Sequence, residues 1–239
     1  MNKLNLSIGI LSWRSPLTLE NTLVTYNESG LLHMVNDVTM FIQEADDRNI
    51  QIAESFGIPY IASPTNIGIG KAFNALCESA ETDTIMILED DWCNIEDTDT
   101  TYSRLAYAHA ALHLEIANVV KLRHRRDPGD PLYTRQFAGR EMDSPKHLFE
   151  CCHWREDPDL DFPDIISKEI ANNLYLCDSR YANHTNNPCM WMKDFYLENI
   201  SRFAGDGVAL EGAIDGWWQE QGFEVAHGEG LFKHWRIDR

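Results

Sequence analysis

The chain has 239 residues, 44% of them hydrophobic and 24% charged, with a net charge of −18. That profile excludes a disordered chain and gives enough length for one α/β domain carrying a sizeable insertion. Residues 1–100 hold 16 Asp and Glu against 4 Lys and Arg, which excludes the basic face that nonspecific nucleic-acid binding requires.

No apolar stretch is long enough to span a bilayer, and the first residues lack the apolar core of a signal peptide. A cytoplasmic protein without a transmembrane segment is therefore expected. The six cysteines, Cys77, Cys93, Cys151, Cys152, Cys177 and Cys189, show no paired spacing and read as reduced thiols. Cys151-Cys152-His153 has metal-binding residue types, but adjacent cysteines are awkward ligands for one tetrahedral site.

Leu4–Leu11 reads as a first buried strand ending at Ser12-Trp13-Arg14. Ser15-Pro16 is an N-cap followed by proline at the first helical position, and Leu19, Leu23 and Tyr26 continue at helical spacing until Gly30. A second strand fits Val38–Ile42 and runs out into Glu44, Asp46 and Asp47. A short helix over Asn49–Phe56 closes at Gly57 and Pro59, and Tyr60–Ala62 is a third strand.

Asn66-Ile-Gly-Ile-Gly-Lys-Ala-Phe-Asn74 enters the next helix, whose apolar face is Ala72, Phe73, Leu76, Cys77 and Ala80. Glycines at a helix N-terminus let backbone N–H groups approach an anionic or sugar ligand, and they also serve packing alone. The run Ile85-Met-Ile-Leu88 then ends in three carboxylates, Glu89-Asp90-Asp91. Ligands of open α/β sheets sit beyond the carboxyl ends of the strands. Three adjacent carboxylates repel one another, and a divalent cation relieves that repulsion, as does simple solvation of an acidic turn. The β-α-β-α-β-α-β alternation of the first hundred residues predicts a mostly parallel sheet with helices on both faces.

Thr101–Glu115 reads as a helix and Val119–Leu122 as a strand, followed by the basic cluster Arg123-His-Arg-Arg126. That cluster is open to two readings, a solvated loop or a contact with a pyrophosphate or acidic acceptor. Pro128, Gly129, Pro131, Pro145, Pro158 and Pro163 punctuate residues 127–182, an insertion or lid in which only a helix near Ile165–Leu174 is expected. Cys189–Met192 is a strand, Lys193–Arg202 a helix and Gly205-Asp-Gly207 a turn. A last helix starts at Leu210 with Glu211 and Asp215 on one face, four residues apart. Phe223–Ala226 is a short strand, and the chain closes on Gly230-Leu-Phe-Lys-His234-Trp235.

Four features resemble nucleotide-sugar glycosyltransferases of the GT-A fold, close to glycosyltransferase family 2. They are the strand ending at Ser12-Trp13-Arg14, the Asn66-x-Gly-x-Gly-Lys-Ala-x-Asn74 helix entry, the strand ending at Glu89-Asp-Asp91, and Glu211 with the late His234. Residues 127–182 fall outside the resemblance. It implies a Rossmann-like GT-A α/β domain with three parts: 1–126 for the nucleotide sugar, 127–182 as insertion or lid, and 183–239 for acceptor and catalysis.

The resemblance also implies roles. Glu89-x-Asp91 stands in for the DxD motif, with Asp91, His234 and Glu89 toward Mn²⁺ or Mg²⁺; Glu89 departs from the usual aspartate. Ser12, Trp13, Arg14, Glu44 and Asp46 would line the base pocket. Asn66, Gly70 and Lys71 would lie near ribose and sugar, and Asp90 would serve sugar or ribose. Glu211, or Asp215 one turn on, would be the base that deprotonates an acceptor hydroxyl, which implies inversion at the anomeric carbon. The implied reaction moves a sugar from a nucleoside-diphosphate sugar, UDP-sugar favoured, to a glycan or glycoconjugate acceptor. A sugar nucleotidyltransferase would be expected to open with a glycine- and Lys/Arg-bearing loop, which Leu11-Ser-Trp-Arg-Ser-Pro16 is not. A non-catalytic carbohydrate-binding protein on the same fold is the other alternative.

Overall fold

Strand β1 (Leu4–Trp13) lies inside the parallel part of the sheet, and its alternation shows why both of its faces are covered. Leu6, Ile8 and Ile10 pack with Leu19, Leu23 and Tyr26 of helix α1 (Pro16–Glu28) on one side. Leu11 joins a second cluster on the other side, with Phe73 and Leu76, as a side-chain period of two requires. Fully burying each such Leu or Ile stabilises the fold by roughly 1.5–3 kcal/mol. The computed structural model describes residues 3–130, 155–169, 171, 173–205 and 209–238.

Four parallel strands form the first half of the sheet. After α1 come α2 (Leu31–Met34), β2 (Val35–Gln43), α3 (Asp47–Ser55), β3 (Tyr60–Ala62), α4 (Ile69–Ser79) and β4 (Thr84–Glu89). Their spatial order is β3-β2-β1-β4, the registers being parallel throughout. Strand β5 (Trp92–Asn94) follows the acidic triplet and leads into α5 (Thr98–His113) and β6 (Val119–Arg123).

The second half is mixed. The described residues continue with α6 (Pro158–Asp161), β7 (Ile166–Glu169), β8 (Leu174–Asp178), β9 (Cys189–Met192), α7 (Lys193–Asn199), α8 (Leu210–Trp218) and β10 (Glu224–His234). Strand β9 is inserted antiparallel between β4 and β6, so β6 keeps the direction of β4. Strand β10 runs parallel to β6. The C-terminal ends of β1, β2, β4, β6 and β10 therefore meet at one rim, where open α/β sheets hold their ligands. Helices α1, α2, α3 and α5 cover one face, and α4, α7 and α8 cover the other.

Several expectations change. The helix near Ile165–Leu174 is instead the antiparallel hairpin of β7 and β8, turned through Asn173 at φ +51°. Leu174, Tyr175 and Cys177 are buried, and β8 pairs along β10; sheet pairing overrides the short helical pattern. The expected short strand Phe223–Ala226 is the start of an 11-residue strand, Glu224–His234. Its register against β6 breaks between His227 and Phe232, which leaves its last residues to pair antiparallel with β5. Helix α7 ends at Asn199 and passes into a 3₁₀ turn, Ser201–Phe203. The Gly205-Asp-Gly207 turn and Cys151-Cys152-His153 lie wholly or partly outside the described residues. Cys77, Cys93, Cys177 and Cys189 are buried free thiols. Among the described residues, no helix is long and apolar enough to cross a membrane.

Candidate active site

The pairing of β5 with β10 sets His234 opposite Trp92, directly after the acidic triplet. The His234 and Trp92 rings meet edge to face at 5.1 Å, and the Trp235 N–H donates to the Asp91 carbonyl at 2.8 Å. His234 Nε2 thereby comes within 3.1 Å of Asp91 Oδ2. The other ring nitrogen, Nδ1, is bonded to the Asp130 carbonyl oxygen. A carbonyl only accepts, so Nδ1 carries a hydrogen and Nε2 offers a lone pair when the ring is neutral. Two lone-pair atoms then face each other, and a proton or a metal ion must lie between them.

The backbone around this pair is built for close approach. Gly129 has φ +70°, and a Cβ there would sit 2.0 Å from the His234 carbonyl oxygen. Only glycine lets the Pro128–Asp130 segment wrap the end of β10. Gly230, at φ +73°, would place a Cβ 2.1 Å from the Arg123 carbonyl oxygen.

Asp91 is buried, and its Oδ1 has no hydrogen-bond partner. A buried carboxylate oxygen left unmatched is costly and fits a site that awaits a cation. Among the described residues no three His, Cys, Asp or Glu side chains converge as a metal cluster. Asp91 and His234 thus form a two-donor pair, and a hard cation held there needs further oxygen ligands from a substrate or water.

The rest of the triplet is electrostatically loaded. Glu89 is pushed up to about 8, chiefly by burial, then by the charges of Asp91, Asp90 and Glu211. Asp90 is pushed up to about 7 by burial, against the opposing hydrogen bond from Ser12. The Trp13 N–H also donates to Asp90 Oδ2 at 3.1 Å. Ser12 is fully buried and takes a 3.4 Å bond from the Asn49 amide. It supports Asp90 from below and does not face the rim.

Trp13 and Arg14 do face it. Trp13 Nε1 donates to Glu44 Oε2 at 2.6 Å, and Arg14 Nε lies 2.6 Å from the same oxygen. Arg14 (φ +52°) and Glu44 (φ +47°) both adopt left-handed backbone immediately beyond β1 and β2. Non-glycine residues there carry strain, which concentrates at ligand sites.

The other expected residues divide. Asp46 caps α3, accepting from the Arg48 and Asn49 N–H groups at 2.9 Å each, so its carboxylate is engaged by the helix. Asn66 is exposed and closes an Asx turn onto the Gly68 N–H at 2.8 Å. Gly70 is buried, and a Cβ there would come within 3.0 Å of Ala204; its smallness serves helix packing. Lys71 is half-buried on the first turn of α4.

Glu211 stands in the first turn of α8, where Oε1 accepts from Thr185 Oγ1 at 3.0 Å and from the Asn186 N–H at 2.6 Å. Its charge reaches Glu89 across the crevice. Asp215 lies one turn further along, with Gln219 Nε2 at 3.5 Å from its Oδ1.

The first three residues of the basic cluster, Arg123, His124 and Arg125, are drawn inward, and Arg126 stays exposed. Arg123 donates to the Pro128 and Gly129 carbonyls at 2.9 Å, and His124 meets Glu96 at 2.9 Å. Arg125 pairs with Glu229 at 3.0 Å, and Arg126 with Glu156 at 2.7 Å. These contacts offset local acid and hold the chain around the end of β6.

Sequence reading missed several rim residues. Gln43 is buried and accepts the Ile67 N–H at 2.8 Å, fixing the helix-entry loop. Arg236 lies 3.9 Å from Asp91 Oδ2. Asp238 accepts the Leu17 N–H at 2.8 Å and the Thr18 N–H at 3.0 Å at the head of α1. No sequence signal marks the last two, because their partners lie more than a hundred residues away.

No protein-family model and no curated protein matches the sequence. Solved structures do resemble the fold. The chain aligns with S. aureus TarS 1-349 in complex with UDP-GlcNAc at TM-score 0.62 and 12% identity, over 100% of this chain and 60% of that one. Glucosyl-3-phosphoglycerate synthase from Mycobacterium tuberculosis, with Mn²⁺, UDP-Glc and phosphoglyceric acid, aligns at TM-score 0.58 and 13% identity, over 98% and 72%. The mannosyltransferase PcManGT from Pyrobaculum calidifontis, with GDP-Man and Mn²⁺, aligns at TM-score 0.56 and 9% identity, over 96% and 58%. The chain thus spans about 60% of the length of the TarS fragment. The strand order, the crevice beyond β1 and β4, and these alignments lead to one conclusion: the chain has the GT-A fold.

Proposed function

We propose that the protein is a metal-dependent glycosyltransferase that moves a sugar from a nucleoside-diphosphate sugar to a hydroxyl of a glycan acceptor. The observation that carries this reading is the Asp91–His234 pair at the rim, with its orphaned carboxylate oxygen and with Glu211 across the crevice. Asp91 and His234 would hold Mn²⁺ or Mg²⁺, and the donor's phosphate oxygens would complete the ligand set. When bound, the cation supplies Lewis-acid stabilisation of the negative charge on the departing diphosphate.

The chain's own groups do the rest. Trp13, with Arg14 and Glu44 beside it, offers an exposed ring and a paired charge to the nucleobase. Glu211 has Oε1 occupied by Thr185 and Asn186, so Oε2 is the atom left to take the acceptor's proton. Those two bonds also fix the carboxylate's orientation. If Glu211 acts as that base on the face opposite the departing diphosphate, the reaction would invert the anomeric carbon. UDP-sugar is the favoured donor, as two of the structural neighbours contain UDP-sugars.

The test is nucleotide release from a panel of UDP- and GDP-sugars with Mn²⁺, comparing wild type with Glu211→Gln. Release by wild type that falls at least about a hundredfold in the variant supports the reading. No release above background from any donor, with or without added glycans, refutes it.

A further inference from the structure

We propose that Arg236 is a donor-binding residue that receives the diphosphate beside the Asp91–His234 pair, held in place by a C-terminal strap closed at Asp238. The proposal rests on the nucleotide-sugar reading and assigns a phosphate contact within it. Three observations converge on Arg236.

The first is its position among the acids. Its NH1 lies 3.9 Å from Asp91 Oδ2, and its charge also acts on Glu89 and Asp90. One guanidinium therefore lies beside Asp91, and its charge is felt by the other two carboxyls of the triplet. At 3.9 Å it attracts Asp91 but donates no hydrogen bond to it. A diphosphate brings several negative charges to this acidic rim, and a cation shared between one metal-binding pair and the ligand offsets that repulsion.

The second is how it is fixed. Arg236 NH2 donates to Ser15 Oγ at 2.9 Å, and Nε donates to the Asp238 carbonyl oxygen at 3.2 Å. These bonds occupy two of the three guanidinium nitrogens and leave NH1 directed at Asp91. A planar fork held on two sides presents its remaining N–H groups with little entropy left to lose on meeting a phosphate.

The third is the strap itself. The Asp238 carboxylate takes the Leu17 and Thr18 N–H groups and the Thr18 hydroxyl, while Thr18 Oγ1 is within 3.0 Å of the Ile237 nitrogen. Ser15 makes no side-chain cap at this helix, so Asp238 replaces it and favours the positive end of the helix dipole. At the near end, the Trp235 N–H holds the Asp91 carbonyl. The strap thus spans from the triplet to α1 with Arg236 between its two anchors.

The experiment compares wild type, Arg236→Gln and Arg236→Lys in Mn²⁺. UDP and GDP are titrated by calorimetry, and uridine or guanosine binding is followed by ligand-observed NMR. Melting temperature reports folding. The proposal expects Arg236→Gln to weaken the diphosphate about tenfold or more while nucleoside binding holds, and Arg236→Lys to recover part of the loss. Unchanged diphosphate affinity in a folded Arg236→Gln overturns it, as does an equal loss of nucleoside and diphosphate. If Arg236→Gln does not fold, Arg236→Lys decides, since wild-type affinity there removes any need for the fork. Failure of wild type to bind either diphosphate is a different result, and it removes the nucleotide-sugar reading together with this assignment.

Discussion

His234 Nε2 and Asp91 Oδ2 lie 3.1 Å apart although 143 residues separate them in the chain. The antiparallel β5–β10 pairing makes that contact, and Nδ1 is committed to the Asp130 carbonyl. Replacing His234 by Ala leaves Asp91 with a cation site of one side chain. The expected result is loss of Mn²⁺-dependent nucleotide affinity by about tenfold to a hundredfold, with the fold retained. Calorimetry in Mn²⁺ and in EDTA measures the difference.

The two candidate bases separate by position. Glu211 is oriented by Thr185 and Asn186 and acts on Glu89, whereas Asp215 lies a turn away beside Gln219. Asp215→Asn is expected to keep turnover within about threefold of wild type, whereas Glu211→Gln lowers kcat with donor affinity kept. Steady-state kinetics with the active donor decides between them.

Burial pushes Glu89 up to about 8 and Asp90 up to about 7. A carboxyl raised in the folded state keeps its proton after the unfolded chain has released it near pH 4. Folding therefore favours proton uptake, and this contribution to stability declines as pH rises from about 4 to about 8. The metal-free protein is expected to melt lower at about pH 8.5 than at about pH 6, and saturating Mn²⁺ should narrow the gap. Melting curves across that range, with and without the metal, provide the check.

Gly230→Ala is expected to destabilise the fold by about 2 kcal/mol or more, since it combines positive φ with a backbone clash against Arg123. Chemical denaturation reads this, and an unchanged midpoint would contradict the geometry. The same clash predicts damage to the rim, because Gly230 lies in β10 four residues before His234.

Much of the rim was legible because hydrophobic pattern and strand polarity are local signals. Ile85–Leu88 running into three acids marks the end of β4, and Leu4–Leu11 marks β1. The position of Glu211 in the first turn of a late helix was legible from the apolar spacing that follows it, whereas its role came only from the family resemblance. Asp46 and Gly70 were harder to read, since capping and close packing draw on the same residue types as ligand binding. Strand β5 is three residues long, too short for any period, yet it brings His234 to Asp91. Arg236 and Asp238 depend on where α1 begins in space, which no spacing within the last ten residues encodes. The β7–β8 hairpin was misread as a helix because its edge pairing with β10 is nonlocal.

The most direct test of the central claim is calorimetric titration of UDP, then GDP, into wild type and Asp91→Ala, each with and without Mn²⁺. The account predicts binding of one nucleotide by wild type only when Mn²⁺ is present, and loss of that binding in Asp91→Ala. Equal binding by the variant in Mn²⁺, or no binding of either nucleotide by wild type, would contradict it.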